Sequence, residues 1–200
     1  MRLTITRFMP DGIINMSATD QKRWDAIYQQ RNQKPFPDPD PFLLECTPPA
    51  TGDQRALDLA GGIGQNGLWL ATQGYTVDVL DISRMALIRG RAEMTGRGLR
   101  NVNFLQEDLD EVSLKLNKYA IVCVFRYLKR DLFPQIRTSI HPGGRIVYET
   151  YNINYLKRVP GFNADFLLES GELATYFADW RILHNSESNH ISRLAAIKPA

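Results

Sequence analysis

Two carboxylates and a run of glycines are the residues of this chain best spaced to do chemistry on a ligand. The stretch LDLAGGIGQNG, residues 57–67, joins an apolar segment carrying Asp58 to Gly62, Gly64 and Gly67, and Asp81 follows nineteen residues after Gly62. An apolar strand running into glycines and then a helix makes a tight turn whose backbone a ligand can approach closely. The glycines read GxGxxG, which with a downstream acid also fits a dinucleotide pocket. Asp58 argues against that reading. A pyrophosphate at a helix N-terminus seeks N–H groups and positive potential, whereas a carboxylate there favours a cation. S-adenosylmethionine fits these demands: it carries a sulfonium, an ammonium and no phosphate, and Asp81 can accept hydrogen bonds from both of its ribose hydroxyls.

A second constellation, Phe125, Arg126 and Tyr127, follows the apolar run YAIVCVF. A guanidinium at that strand end could hold an oxyanion by a bidentate contact, or could instead form a salt bridge to Asp58 or Glu149. Methyl transfer needs alignment of acceptor, methyl and leaving sulfur in a dry site, and an acceptor with a lone pair needs no base. No histidine is placed for proton transfer, since His141 precedes Pro142 in a turn and His184 and His190 flank a hairpin. That favours a soft or oxyanionic acceptor. No zinc-ligand spacing, GxxxxGK loop or GxSxG elbow occurs, so no metal is expected.

These residues must be positioned by alternating strands and helices. The pattern predicts a strand to Leu59, a helix from Gly64 to Gln73, a strand from Tyr75 to Leu80, a helix from Ser83 to about Gly96, and a strand over 102–105. A fourth strand YAIVCVF, a helix after Lys129, a turn at HPGG feeding a fifth strand, and a helix at ELATYF follow. Such alternation makes a parallel sheet. WRILH and ISRLAAIK, separated by NSESN, predict an antiparallel hairpin at its edge. Upstream, Thr19 or Asp20 is expected to cap a helix through Trp24, Ile27 and Tyr28, and the prolines of PFPDPDP stiffen the approach to a second short helix.

The runs LDLAGGIGQNGLWLA, VDVLDIS and FLQEDL resemble the first three motifs of class I methyltransferases, over roughly residues 19–198. WDAIY, FRYLKRDLFPQI and GELATYFADWRIL further resemble small bacterial methyltransferases of the tellurite-resistance type. The resemblance implies an α/β, Rossmann-like class I methyltransferase fold, with a seven-stranded mostly parallel sheet, an antiparallel C-terminal hairpin and helices on both faces. It implies S-adenosyl-L-methionine held by Asp58, Ala60, Gly61, Gly62, Gly64, Asn66, Asp81, Ile82, Asp108, Leu109 and Phe125, with Asp108 meeting the adenine amino group. Catalysis would fall to Arg126 and Tyr127. Trp24 and Tyr28 would cover the site, and Asn163, Asp165, Phe166 and residues 148–151 would join the acceptor pocket. Ala60 stands where the family pattern has glycine. NSESNH is too short to supply the basic residues of the tellurite-type loop.

Two hundred residues with 44% hydrophobic content suit one domain over 19–200, with a helical lid region at 19–50, a core at 55–198, and residues 1–18 as an N-terminal extension. A net charge of +2 from 24 basic and 22 acidic residues points to a small-molecule acceptor rather than nucleic acid or membrane. Two cysteines make no disulfide framework, and with no apolar run long enough to span a bilayer the expectation is a cytoplasmic monomer or homodimer. Two other readings stay open: a nicotinamide-dependent oxidoreductase, and a module that holds S-adenosylmethionine without transferring its methyl group.

Overall fold

The computed structural model describes residues 16–200; the extension expected before them falls, up to residue 15, outside the described residues. Seven strands form one sheet: β1 (Arg55–Leu59), β2 (Thr76–Asp81), β3 (Val102–Gln106), β4 (Tyr119–Phe125), β5 (Ile140–Tyr151), β6 (Arg181–Ser188) and β7 (Ile191–Ile197). Their order is β3-β2-β1-β4-β5-β7-β6, parallel from β3 to β5 and antiparallel at both contacts of β7. Around the sheet lie α1 (Met16–Gln30), α2 (Pro41–Cys46), α3 (Gln65–Thr72), α4 (Arg84–Gly96), α5 (Phe133–Ser139) and α6 (Glu172–Thr175).

Central strands buried on both faces need apolar residues at every position, and alternation then decides which layer each one joins. Leu57 and Leu59 of β1, with Val122 and Val124 of β4, pack against Phe133 and Ile136 of α5 and Leu173 of α6. Ala56, Ile121 and Cys123 face the other way, onto Phe42, Leu43, Leu68, Leu70 and Leu87 from α2, α3 and α4. The chain moves outward from β1 through β2 to β3 and returns to β4 on the opposite side of β1. That reversal opens a crevice beyond the carboxyl ends of β1 and β4, where open sheets bind ligands.

Three element boundaries differ from the sequence expectation. Helix α1 starts by Met16, so neither Thr19 nor Asp20 caps it; Asp20 pairs with Arg23 one turn on, at 2.9 Å. HPGG is a bulged start to β5: Tyr119 pairs with Ile140, the register shifts, and Ile121 pairs with Arg145. NSESN belongs largely to β6, and the turn is Asn189–His190, with Asn189 in the left-handed region at φ 54°.

Candidate functional site

The glycine turn is held together by the two carboxylates that flank it. Asp58 is 1% exposed. Its Oδ2 accepts the Gly67 N–H at 2.9 Å, and its Oδ1 accepts the Cys123 thiol at 3.4 Å. Burial pushes its carboxyl up to about 7, against the lowering effect of those two donors. Asp81, at the end of β2, accepts the N–H groups of Gly62 and Ser83, both at 2.8 Å. Ser83 is the cap of α4, its Oγ accepting the Ala86 N–H at 3.1 Å, as its position suggested. The two backbone donors fix the plane of the Asp81 carboxylate. Each oxygen retains acceptor capacity. Burial raises its carboxyl above the ordinary value, and the Ser83 and Gly62 N–H groups oppose that shift.

The turn itself tolerates no bulk. Gly62 and Gly64 have φ of 58° and 77°; a Cβ on Gly62 would lie 2.3 Å from the Tyr28 hydroxyl, and one on Gly64 2.7 Å from Phe104. Ala60 also sits in the left-handed region, at φ 54°, so the methyl group that departs from the family pattern occupies a conformation that favours glycine. Gly61 is equally confined, with Asp58 beneath it. Asn66 anchors the proline segment to α3, its Oδ1 accepting the Asp40 N–H at 2.8 Å. Ile82 follows Asp81 at the start of the next turn and is half-buried.

Helix α1 lies across this turn. Asp25 accepts the Ser83 hydroxyl at 2.7 Å and the Met85 N–H at 3.0 Å, while Arg89 of α4 donates to the carbonyls of Arg31, Lys34 and Pro35. These bonds bring Tyr28 onto Gly62. Trp24 is 37% exposed, with its ring centroid 6.2 Å from that of Tyr28, and so is no ordinary core aromatic. Asp25 escaped sequence reasoning because its partners are 58 and 60 residues distant and no local pattern links them.

At the third strand end, Asp108 accepts the Asp110 N–H at 2.9 Å, and Leu109 is buried in the core layer beneath. At the fourth, Phe125 is half-buried and Arg126 takes a left-handed φ of 58°. Of the two salt bridges weighed for Arg126, the structure forms the one to Glu149. Glu149 is fully buried and pairs with both Arg126 and Arg193. The Arg126 side chain stays 40% exposed, with its guanidinium 5.4 Å from the Tyr151 ring centre. Tyr127 is partly buried against the core; burial, then the charges of Asp110, Asp108 and Asp81, pushes its phenol well up. Tyr148 is core, donating its hydroxyl to the Tyr127 carbonyl at 2.9 Å, and Thr150 is buried. Asn163, Asp165 and Phe166 lie on the surface and make a local turn, Asn163 accepting the Asp165 N–H at 2.9 Å.

Residues 56–144 match the family model described as a methyltransferase domain. No curated protein matches the chain. A solved S-adenosylmethionine dependent methyltransferase from Mesorhizobium loti is similar at TM-score 0.66 and 17% identity, over 79% of this chain and 96% of its own. TehB from Haemophilus influenzae is similar at 0.70 and 17%, over 88% and 67%. Geranyl diphosphate C-methyltransferase from Streptomyces coelicolor A3(2) gives 0.66 and 16%, over 78% and 76%. Residues 56–144 are thus a methyltransferase domain, set in a chain that has the methyltransferase fold.

Proposed function

We propose that this domain binds S-adenosyl-L-methionine over the glycine turn and transfers its methyl group to a small-molecule acceptor above β4. One observation carries the choice of cofactor. The glycine N–H groups of this turn, which a pyrophosphate would approach, already have acceptors: Gly62 bonds to Asp81, Gly64 to the Gly61 carbonyl at 2.9 Å, and Gly67 to Asp58. What remains is an acidic floor that suits a cation. When bound, the cofactor supplies a methyl group on a positively charged sulfur.

Asp58 places negative charge under the cofactor's cationic end, and Asp81 offers its remaining lone pairs to the ribose hydroxyls. Asp108 and Leu109 serve the adenine, while Ala60, Gly61, Gly64, Asn66, Ile82 and Phe125 shape the walls. Arg126, fixed by Glu149 yet partly exposed, holds and orients an anionic or polarised acceptor. Tyr127 stays protonated and so acts as a donor that positions, not as a base. The favoured acceptor is one already nucleophilic, a soft atom or an oxyanion, since the sequence offers no histidine for activating an alcohol: His141 precedes Pro142, and His184 and His190 lie in the C-terminal hairpin.

Calorimetric titration with S-adenosylmethionine, S-adenosylhomocysteine and NAD tests the reading. Saturable binding of the first two alone is expected; binding of NAD alone overturns it. Affinity without release of S-adenosylhomocysteine from any acceptor would make the domain a binding module. Arg126→Ala should leave cofactor affinity within about twofold and lower turnover by about 100-fold; unchanged turnover on every accepted substrate removes Arg126 from the mechanism.

A further inference from the structure

The cationic character of the acceptor side continues past Arg126. Beyond the Tyr151 ring, the turn of the β6–β7 hairpin and the 3-10 segment Ile153–Lys157 enclose an open cavity of about 690 Å³, lined by Asn154, Lys157, Arg158, Glu187, Asn189 and His190. The hairpin turn reaches this end of the sheet because β7 runs antiparallel, pairing Ile191 with Tyr151. The Asn152 N–H, bonded to the His190 carbonyl at 3.0 Å, fixes the turn there. Among the described residues neither Lys157 nor Arg158 has a carboxylate partner. The one acid in the lining, Glu187, is engaged elsewhere: it accepts the Gly171 N–H at 2.8 Å, the Ser170 hydroxyl at 2.7 Å and the Ser192 hydroxyl at 3.1 Å. Among the described residues it forms no ion pair with either cation, so the lining sets two positive charges against one negative.

The cavity wall is braced. Arginine can only donate, so Arg158 Nη1 donates to His190 Nε2 across their 3.5 Å contact. The His190 ring packs on Tyr151 and Tyr155, at centroid distances of 5.9 and 5.5 Å, and Tyr151 stacks on Tyr155 at 4.1 Å. One aromatic residue, Tyr151, thus lies between Arg126 and the cavity.

We infer that this cavity is an anion subsite for the acceptor: Lys157 and Arg158 hold a carboxylate or phosphate at the far end of an organic molecule whose methyl-accepting atom lies near Arg126. The inference rests on the methyltransferase reading for the word acceptor, but not for the anion site itself. A guanidinium and an ammonium without carboxylate partners, beside two side-chain amides, form a donor set suited to a planar or tetrahedral oxyanion.

Phenyl phosphate, with phenol as its neutral counterpart, tests this by titration against the protein with and without S-adenosylhomocysteine. Both cations are at the surface, so the double variant Lys157→Ala/Arg158→Ala should fold normally. Phenyl phosphate is expected to bind saturably and more tightly than phenol, and to lose about tenfold in affinity in the double variant. Equal binding of phenol, or unchanged phenyl phosphate affinity in the double variant, overturns the subsite. Inorganic phosphate binding as tightly as phenyl phosphate overturns the organic acceptor. If S-adenosylhomocysteine fails to bind while the double variant still loses phenyl phosphate, the anion site stands and the cofactor reading falls.

Discussion

With the cofactor's cationic end over it, as proposed, Asp58 would serve two roles that pull its proton in opposite directions. Buried and titrating near pH 7, it is neutral in much of the free protein at pH 6 and ionised at pH 8. A cationic ligand favours the ionised form, so affinity for S-adenosylmethionine should rise between pH 6 and 8, by at most about tenfold per unit below pH 7. Calorimetry across that range checks this, and Asp58→Asn should both weaken binding and flatten the profile. Stability runs the other way. Between the ordinary carboxyl value of 3.8 and about 7 the native state keeps a proton that the unfolded chain has lost, so the contribution is present at low pH and disappears as pH rises through 7. Much of this site was legible in the residues themselves. Asp58, Asp81 and Ser83 are local signals, because a glycine turn after a strand and a cap before a helix are written in adjacent positions. What could not be read was where each carboxylate spends its hydrogen bonds. Asp81 holds Gly62 from nineteen residues away, and Arg126 pairs with Glu149 rather than Asp58 because register sets Glu149 opposite Phe125 and Asp58 opposite Cys123.

Helix α4 is pressed against the turn through Gly90. A Cβ there would lie 2.4 Å from the Ile63 carbonyl oxygen and 2.4 Å from a Phe104 ring carbon. The first is backbone and cannot swing aside. Gly90→Ala would gain about 1 kcal/mol of helix propensity. It should lose about 1 to 3 kcal/mol to overpacking. The expected net result is a less stable protein in urea unfolding, with weaker cofactor binding because Ile63 belongs to the turn. A gain in stability with intact affinity would show that α4 can shift freely. The elements that met expectation best are those whose boundaries carry a local stop: Gly64 and Gln73 bracket α3, and Ser83 opens α4. The HPGG bulge and the length of β6 depended on cross-strand register, which neighbouring residues do not encode.

Across the molecule the opposite end of the sheet is tied by a different acid. Asp78 of β2 is buried, and its carboxylate accepts from Arg55 at 2.7 Å, Lys118 at 2.6 Å, Tyr119 at 2.9 Å and Asn103 at 2.8 Å. Burial alone would raise its carboxyl; the donors, Lys118 foremost, outweigh that and hold it below the ordinary value. Here the unfolded chain takes up the proton first, so the stabilisation is full above pH 3.8 and is lost as pH falls below it. Asp78→Asn should cost about 2 to 3 kcal/mol at pH 7, with the deficit shrinking below pH 3.8; denaturant unfolding at both pH values measures it.

The strand order also bears on the moments after synthesis. Strand β6 touches the rest of the sheet through β7 alone, and β7 is made after it. Until residues 191–197 leave the ribosome, β6 and the free side of β5 are both unpaired edges that could recruit another nascent chain. The composition of β6 answers that exposure: RILHNSES puts its apolar pair, Ile182 and Leu183, next to Arg181 and follows them with five polar residues, a poor template for aggregation while it waits.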